Sequence, residues 1–138
     1  MLTLNPKPAS EDDDGKPKPP TQIEKFFAVA AHLAGVLWLP IIPITGLALV
    51  VPFIVLQFSR VHSEFTEQHA VQASNFQLLM GCFYLVALAL GMVTNSMAIT
   101  HLLELWVAIV SSALGLWEGA KAINGWKSKY PLTLKLFK

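Results

Sequence analysis

Two long stretches of this 138-residue chain, residues 26–59 and 68–103, carry no Asp, Glu, Lys or Arg, and all ten Lys and Arg residues fall outside them. A third such stretch, 105–117, follows the single charge of Glu104. Each long stretch is interrupted near its middle, the first by Pro40 and Pro43, the second by Thr94-Asn95-Ser96. Division there yields four apolar helices. The segments between them must alternate sides of a bilayer, and the basic residues take the same side each time. Lys7, Lys16, Lys18 and Lys25 lie in the N-terminal tail, Arg60 in the central loop, and Lys121, Lys127, Lys129, Lys135 and Lys138 at the C-terminal end. The turns near 40–45 and 94–100 hold none. Positive residues favour the cytoplasmic side. The pattern predicts an all-α integral membrane protein with four transmembrane helices, in a bacterial inner membrane, with both termini and the central loop cytoplasmic. A content of 54% hydrophobic and 14% charged residues is too apolar for an ordinary soluble domain of this length.

Three regions follow. Residues 1–20 hold five of the nine prolines and the acidic run Glu11-Asp12-Asp13-Asp14, so they are expected to form a disordered cytoplasmic tail. The tail has no early apolar core, so a cleaved leader is not expected. Residues 21–125 form the membrane domain, and 126–138 an interfacial C-terminal segment. Helix 1 is expected from Thr21, where Thr21 and Glu24 make a capping box, to Leu39. Pro40 and Pro43 stop it. Helix 2 covers about 44–58 with Pro52 inside. The arms 26–39 and 44–59 reach only about 21 and 24 Å against an apolar core of about 30 Å. Helices 1 and 2 therefore form a short, Pro-broken hairpin, either spanning or re-entrant.

A polar loop is expected over 59–66, then helix 3 over about 67–93 and helix 4 over about 98–123. Helix 3 opens with His69, Gln72, Asn75 and Gln77, which point in several directions and suit a hydrogen-bonding clamp to neighbouring helices. Ala70, Ser74 and Gly81 form a small-residue seam on the same helix. In helix 4, Ser111, Gly115 and Gly119 continue a GxxxG-type face, which allows close approach of another backbone. That face admits two readings, internal packing or an interface with another copy or partner. Glu104, about 9 Å into helix 4, has His101 one turn before it; the pair reads first as structural, reaching the outer interface, and alternatively as an intramembrane polar pair. Glu118 and Lys121 read as a boundary ion pair. Trp126, Lys127, Lys129 and Tyr130 read as an interfacial anchor, rings at headgroup level and cations on phosphates.

Catalytic signals are weak. His62, Glu64, Glu67 and His69 lack the i,i+4 pairing of a zinc helix, so no metal and no cofactor are expected. Ser111 and Ser112 sit in a packing face rather than beside a base. Basic residues are explained by topology, so nucleic acid is not an expected partner; the bilayer and other membrane subunits, or a second copy, are.

Three short blocks carry a resemblance. Phe65-x-x-x-His69 with Ala73-Ser74-Asn75-Phe76-Gln77, Ala31-His32-Leu33-Ala34-Gly35, and Ala122-x-x-Gly125-Trp126-x-x-x-Tyr130-Pro131-Leu132 stand in that family's order. They resemble a bacterial four-helix membrane family of unassigned function, related to the twenty-kilodalton membrane subunit of the chloroplast inner-envelope import translocon. The resemblance implies a four-helix membrane fold and supplies no catalytic residues. The expected function is a non-enzymatic accessory or scaffold subunit of a membrane complex. The alternative is a translocon-like or ion-conducting component.

Overall fold

The computed structural model describes residues 18–39, 47–134 and 136–137. The expected disordered tail up to residue 17, the Pro40–Pro43 break, the first residues of helix 2, and Lys135 and Lys138 lie outside the described residues. Among the described residues four α-helices follow in order: α1 (Gln22–Leu33), α2 (Leu47–His62), α3 (Glu64–Thr94) and α4 (Met97–Ile123). A 3-10 segment, Ala34–Trp38, prolongs α1.

Thr21 starts α1 through the reciprocal cap, its hydroxyl accepting from Glu24 N at 3.3 Å while Glu24 Oε2 accepts from Thr21 N at 2.6 Å. The α-helix then stops at Leu33, short of the expected Leu39, and tightens into the 3-10 segment. The change falls where the chain presses on α4. A Cβ on Gly35 would stand 2.5 Å from the Ser111 carbonyl oxygen, and one on Gly115 would stand 2.6 Å from that of His32. A 3-10 turn rises about 2.0 Å per residue, so α1 and its extension together reach about 28 Å.

The expected loop 59–66 is almost entirely helical. Here α2 runs to His62 and α3 begins at Glu64, leaving Ser63 alone between them. The polar residues that suggested a loop serve instead as helix-end chemistry. Ser63 Oγ accepts from Thr66 N at 3.2 Å, and Glu64 and Glu67 occupy the first turn of α3, where negative charge meets the positive end of the helix dipole. The turn at 94–96 forms as Asn95 adopts the left-handed region (φ 50°) and Ser96 caps α4. At this turn α3 and α4 lie so close that a Cβ on Gly91 would overlap Thr100 Oγ1.

Helix α3 is the centre of the bundle, packing on α1, α2 and α4, while α1 and its extension also lie on α4. One core joins Trp38, Ala48, Phe76, Met80, Val107, Ala108 and Tyr130; a second joins Ala31, Val55, Leu56, Ala70, Val71 and Ala73. Burial on α3 is concentrated between Thr66 and Gly81; beyond that only Ala87 and Gly91 are enclosed. Leu85, Val86, Met92 and Val93 of α3, and Leu102, Leu105, Trp106 and Ile109 of α4, face outward. Among the described residues, α3 and α4 are the two helices long and apolar enough to cross a membrane; the apolar part of α2, Leu47–Ser59, is shorter. After Gly125 (φ 74°) the chain turns back along α3 as an irregular segment.

Candidate functional site

The bundle closes over a chain of buried hydrogen bonds. His32 on α1 and His69 on α3 are both 0% exposed. Their rings face each other with His32 Nε2 2.8 Å from His69 Nδ1. The outer nitrogens are also engaged. His32 Nδ1 lies 2.9 Å from the Tyr130 hydroxyl, and His69 Nε2 lies 3.0 Å from the Trp126 carbonyl oxygen. That carbonyl can only accept, and this sets the direction of the neutral chain. His69 carries its proton on Nε2 and donates to Trp126, so its Nδ1 accepts from His32 Nε2–H. His32 Nδ1 then accepts from the Tyr130 hydroxyl. Every polar atom of the three side chains is satisfied. Tyr130 also stacks on Phe76, with ring centroids 4.1 Å apart. Burial, with the charge of Glu118 adding to it, holds the Tyr130 phenol well above its usual range.

Deeper in the bundle Gln77 Oε1 accepts from Trp38 Nε1–H at 2.7 Å and from the Ser111 hydroxyl at 3.1 Å. Its amide nitrogen and the Ser74 hydroxyl, one turn apart on α3, are buried without a hydrogen-bond partner. Asn75 grips the C-terminal segment. Its Oδ1 accepts from Leu136 N and Phe137 N, at 3.0 and 2.9 Å, and its Nδ2 donates to Phe137 O at 3.1 Å. Gln72, grouped with these residues on sequence grounds, is only half-buried. Of that polar set, His69, Asn75 and Gln77 thus turn inward to three different partners.

Ala70, Ser74 and Gly81 are all buried; Ala70 belongs to the core shared with α1 and α2, and Gly81 faces Leu49 of α2. Ser111 and Gly115 meet the 3-10 segment and His32 of the same chain. For Gly119 the nearest atom to an added Cβ would be His32 Cβ, at 3.9 Å. His101 and Glu104 pair at 3.2 Å on the outside of α4, with His101 largely exposed. Trp126, Lys127 and Lys129 are exposed, but Tyr130 is 3% exposed, its ring turned into the protein rather than outward. Its ring is drawn inside because Phe76 offers a stacking face and His32 an acceptor. Glu118 and Lys121 form the expected ion pair, and Glu118 does more than that. It is buried, and besides Lys121 Nζ at 2.6 Å it accepts from the Ser128 hydroxyl at 2.9 Å and Lys129 N at 3.1 Å.

Sequence reasoning assigned no chemistry to His32 or to Trp38. The available signal was the setting of His32: Ala28, Ala31 and Gly35 surround it at helical spacing, a small-residue face with one polar ring in it. Such a face closes tightly on a neighbour and needs an internal partner for the ring. Enclosed in this way, the imidazoles can hold and exchange protons among themselves. Among the described residues, no three or more His, Cys, Asp or Glu side chains converge as a metal site.

Comparison with known proteins bears on identity. No curated protein and no solved structure matches the chain. A family model does match, over residues 23–137, which is most of the chain. It is the MamF/MmsF model, described as the magnetosome magnetite crystal formation protein family. The expected kinship with the import-translocon family is therefore not supported, and the translocon-like reading falls with it. The blocks that suggested it comprise residues such as His32, His69, Asn75, Phe76, Gln77 and Tyr130, whose types are set by interior packing and hydrogen bonding, demands a helical bundle makes whatever its role. The chain belongs to the magnetosome magnetite crystal formation protein family.

Proposed function

We propose that this protein is a non-enzymatic accessory subunit of the magnetosome membrane, a lipid-embedded four-helix bundle that supports magnetite crystal formation. The observation that carries the reading is the family match over 23–137. The distribution of polarity supports it: the polar groups of the interior are largely committed to one another, while the outer faces of α3 and α4 are apolar. The apolar part of the α1 arm with its 3-10 extension, residues 26–38, reaches about 22 Å against a bilayer core of about 30 Å, so the first hairpin either spans with its polar first turn drawn into the interface or re-enters on the same side. With the basic ends cytoplasmic, the α3–α4 turn around Asn95 faces the opposite side. In a vesicle derived from the inner membrane, that side is the lumen where crystal grows. The test is deletion in a magnetite-forming host with electron microscopy of the crystals. Loss of the chain should change crystal size or shape, and re-expression should restore it; crystals of unchanged dimensions would overturn the reading.

A further inference from the structure

We propose that the His32–His69–Tyr130 chain is a proton-operated latch: it holds residues 126–137 on the bundle while at most one imidazole is protonated, and releases them when both are. The neutral chain is fully satisfied, as derived above. One added proton can also be accommodated in place. His69 then donates from both nitrogens, and His32 takes the other tautomer, accepting at Nε2 and donating from Nδ1 to the Tyr130 oxygen, whose own O–H rotates away from the ring and gives up its acceptor. No heavy atom need move. A second proton has no such solution. His32 Nε2–H and His69 Nδ1–H would confront each other at 2.8 Å, two donors and two like charges with no acceptor between them.

The charged and titratable groups around the pair are Glu118 and Lys121 of α4 and Tyr130 of the C-terminal segment. The aromatic ring of Phe65, on α3, lies against His69. Burial opposes charging either ring and Lys121 adds to that, while Glu118 favours a proton on His69. When the rings must part, α1 cannot recede easily, since Gly35 and Gly115 hold its backbone against that of α4. The C-terminal segment is the part free to yield. Among its described residues it has no helix or sheet ladder of its own; Trp126 N donates to the Lys121 carbonyl at the end of α4, and the further polar attachments are Trp126 O to His69, Tyr130 to His32, Ser128 and Lys129 to Glu118, and Leu136 and Phe137 to Asn75. The bonds from Trp126 O and Tyr130 belong to the histidine chain itself. The latch does not rest on the role in crystal formation.

The test uses the full chain in lipid nanodiscs, carrying Cys82→Ala and a nitroxide at Leu132→Cys, a position exposed in the fold. Electron paramagnetic resonance follows label mobility from pH 8 to pH 4, and far-ultraviolet circular dichroism follows the helices. The expected result is a shift from restricted to mobile signal, steeper than a one-proton titration, with helicity retained. In His69→Gln the shift should disappear. The amide N–H can still donate to Trp126 and its oxygen accept from His32, leaving a single ring to protonate. If that variant does not fold, His32→Gln makes the same substitution on the other ring. A label that stays restricted throughout, a transition unchanged in the folded glutamine variant, or mobility gained only with loss of helix would each overturn the latch.

Discussion

Gly115 and Gly119 share one small-residue face of α4, yet the two positions differ in what a side chain would meet. At Gly115 an added methyl would strike the backbone oxygen of His32, and at Gly35 that of Ser111, neither of which can move aside. We expect Gly35→Ala and Gly115→Ala each to lower stability by about 1–3 kcal/mol through overpacking. Gly119→Ala, with ordinary contact only, should be neutral or mildly stabilising; thermal unfolding in detergent separates the two classes. The polar residues of α3 divide similarly. Gln77→Ala leaves the Trp38 indole N–H and the Ser111 hydroxyl without their acceptor, and Asn75→Ala leaves two backbone N–H groups of the C-terminal segment unpaired. Each should cost about 1–3 kcal/mol, whereas Gln72→Ala, half-exposed, should cost little.

Elements here are joined by short pieces whose geometry depends on single residues. Asn95 holds a left-handed conformation that lets α3 reverse into α4. Asn95→Gly should therefore be tolerated, while Asn95→Val should cost about 1–2 kcal/mol in the same unfolding assay. The C-terminal segment depends instead on Glu118, which joins Lys121, Ser128 and the Lys129 backbone. Removing that carboxylate in Glu118→Ala should loosen the segment without unfolding the helices. Trypsin at neutral pH should then cut after Lys127 and Lys129, both exposed, several-fold faster than in the parent chain. An unchanged cleavage rate would show that Phe137, Tyr130 and Asn75 hold the segment unaided.

At the scale of the whole molecule the orientation in the membrane is the most exposed prediction. Reporter fusions after Lys18, after His62 and at Lys138 should report cytoplasm, and one after Asn95 the opposite side. The confinement of all ten basic residues to the N-terminal tail, the α2–α3 junction and the C-terminal end motivates this. A signal from the far side at His62 would rule out four spans and the re-entrant hairpin alike.

Much of the helical frame was determined by local chemistry and so was legible in the chain alone. The charge-free stretches require helices, the Thr21–Glu24 box starts the first, Thr94-Asn95-Ser96 reverses the third into the fourth, and Asn124-Gly125 ends the last. These signals act within one turn of the backbone. What the tertiary structure decided are relations between residues far apart in sequence. His32 meets His69 and Tyr130 across separations of 37 and 98 residues, and helical periodicity says only that each ring has a face, not which face it will meet. Tyr130 reads as an interfacial ring beside two lysines, and only the presence of Phe76 and His32 beneath it draws it inside. Gly115 and Gly119 are equivalent in a GxxxG pattern; the crossing point of α1, set by packing of the whole bundle, leaves no room for a side chain at the first and room for a methyl at the second.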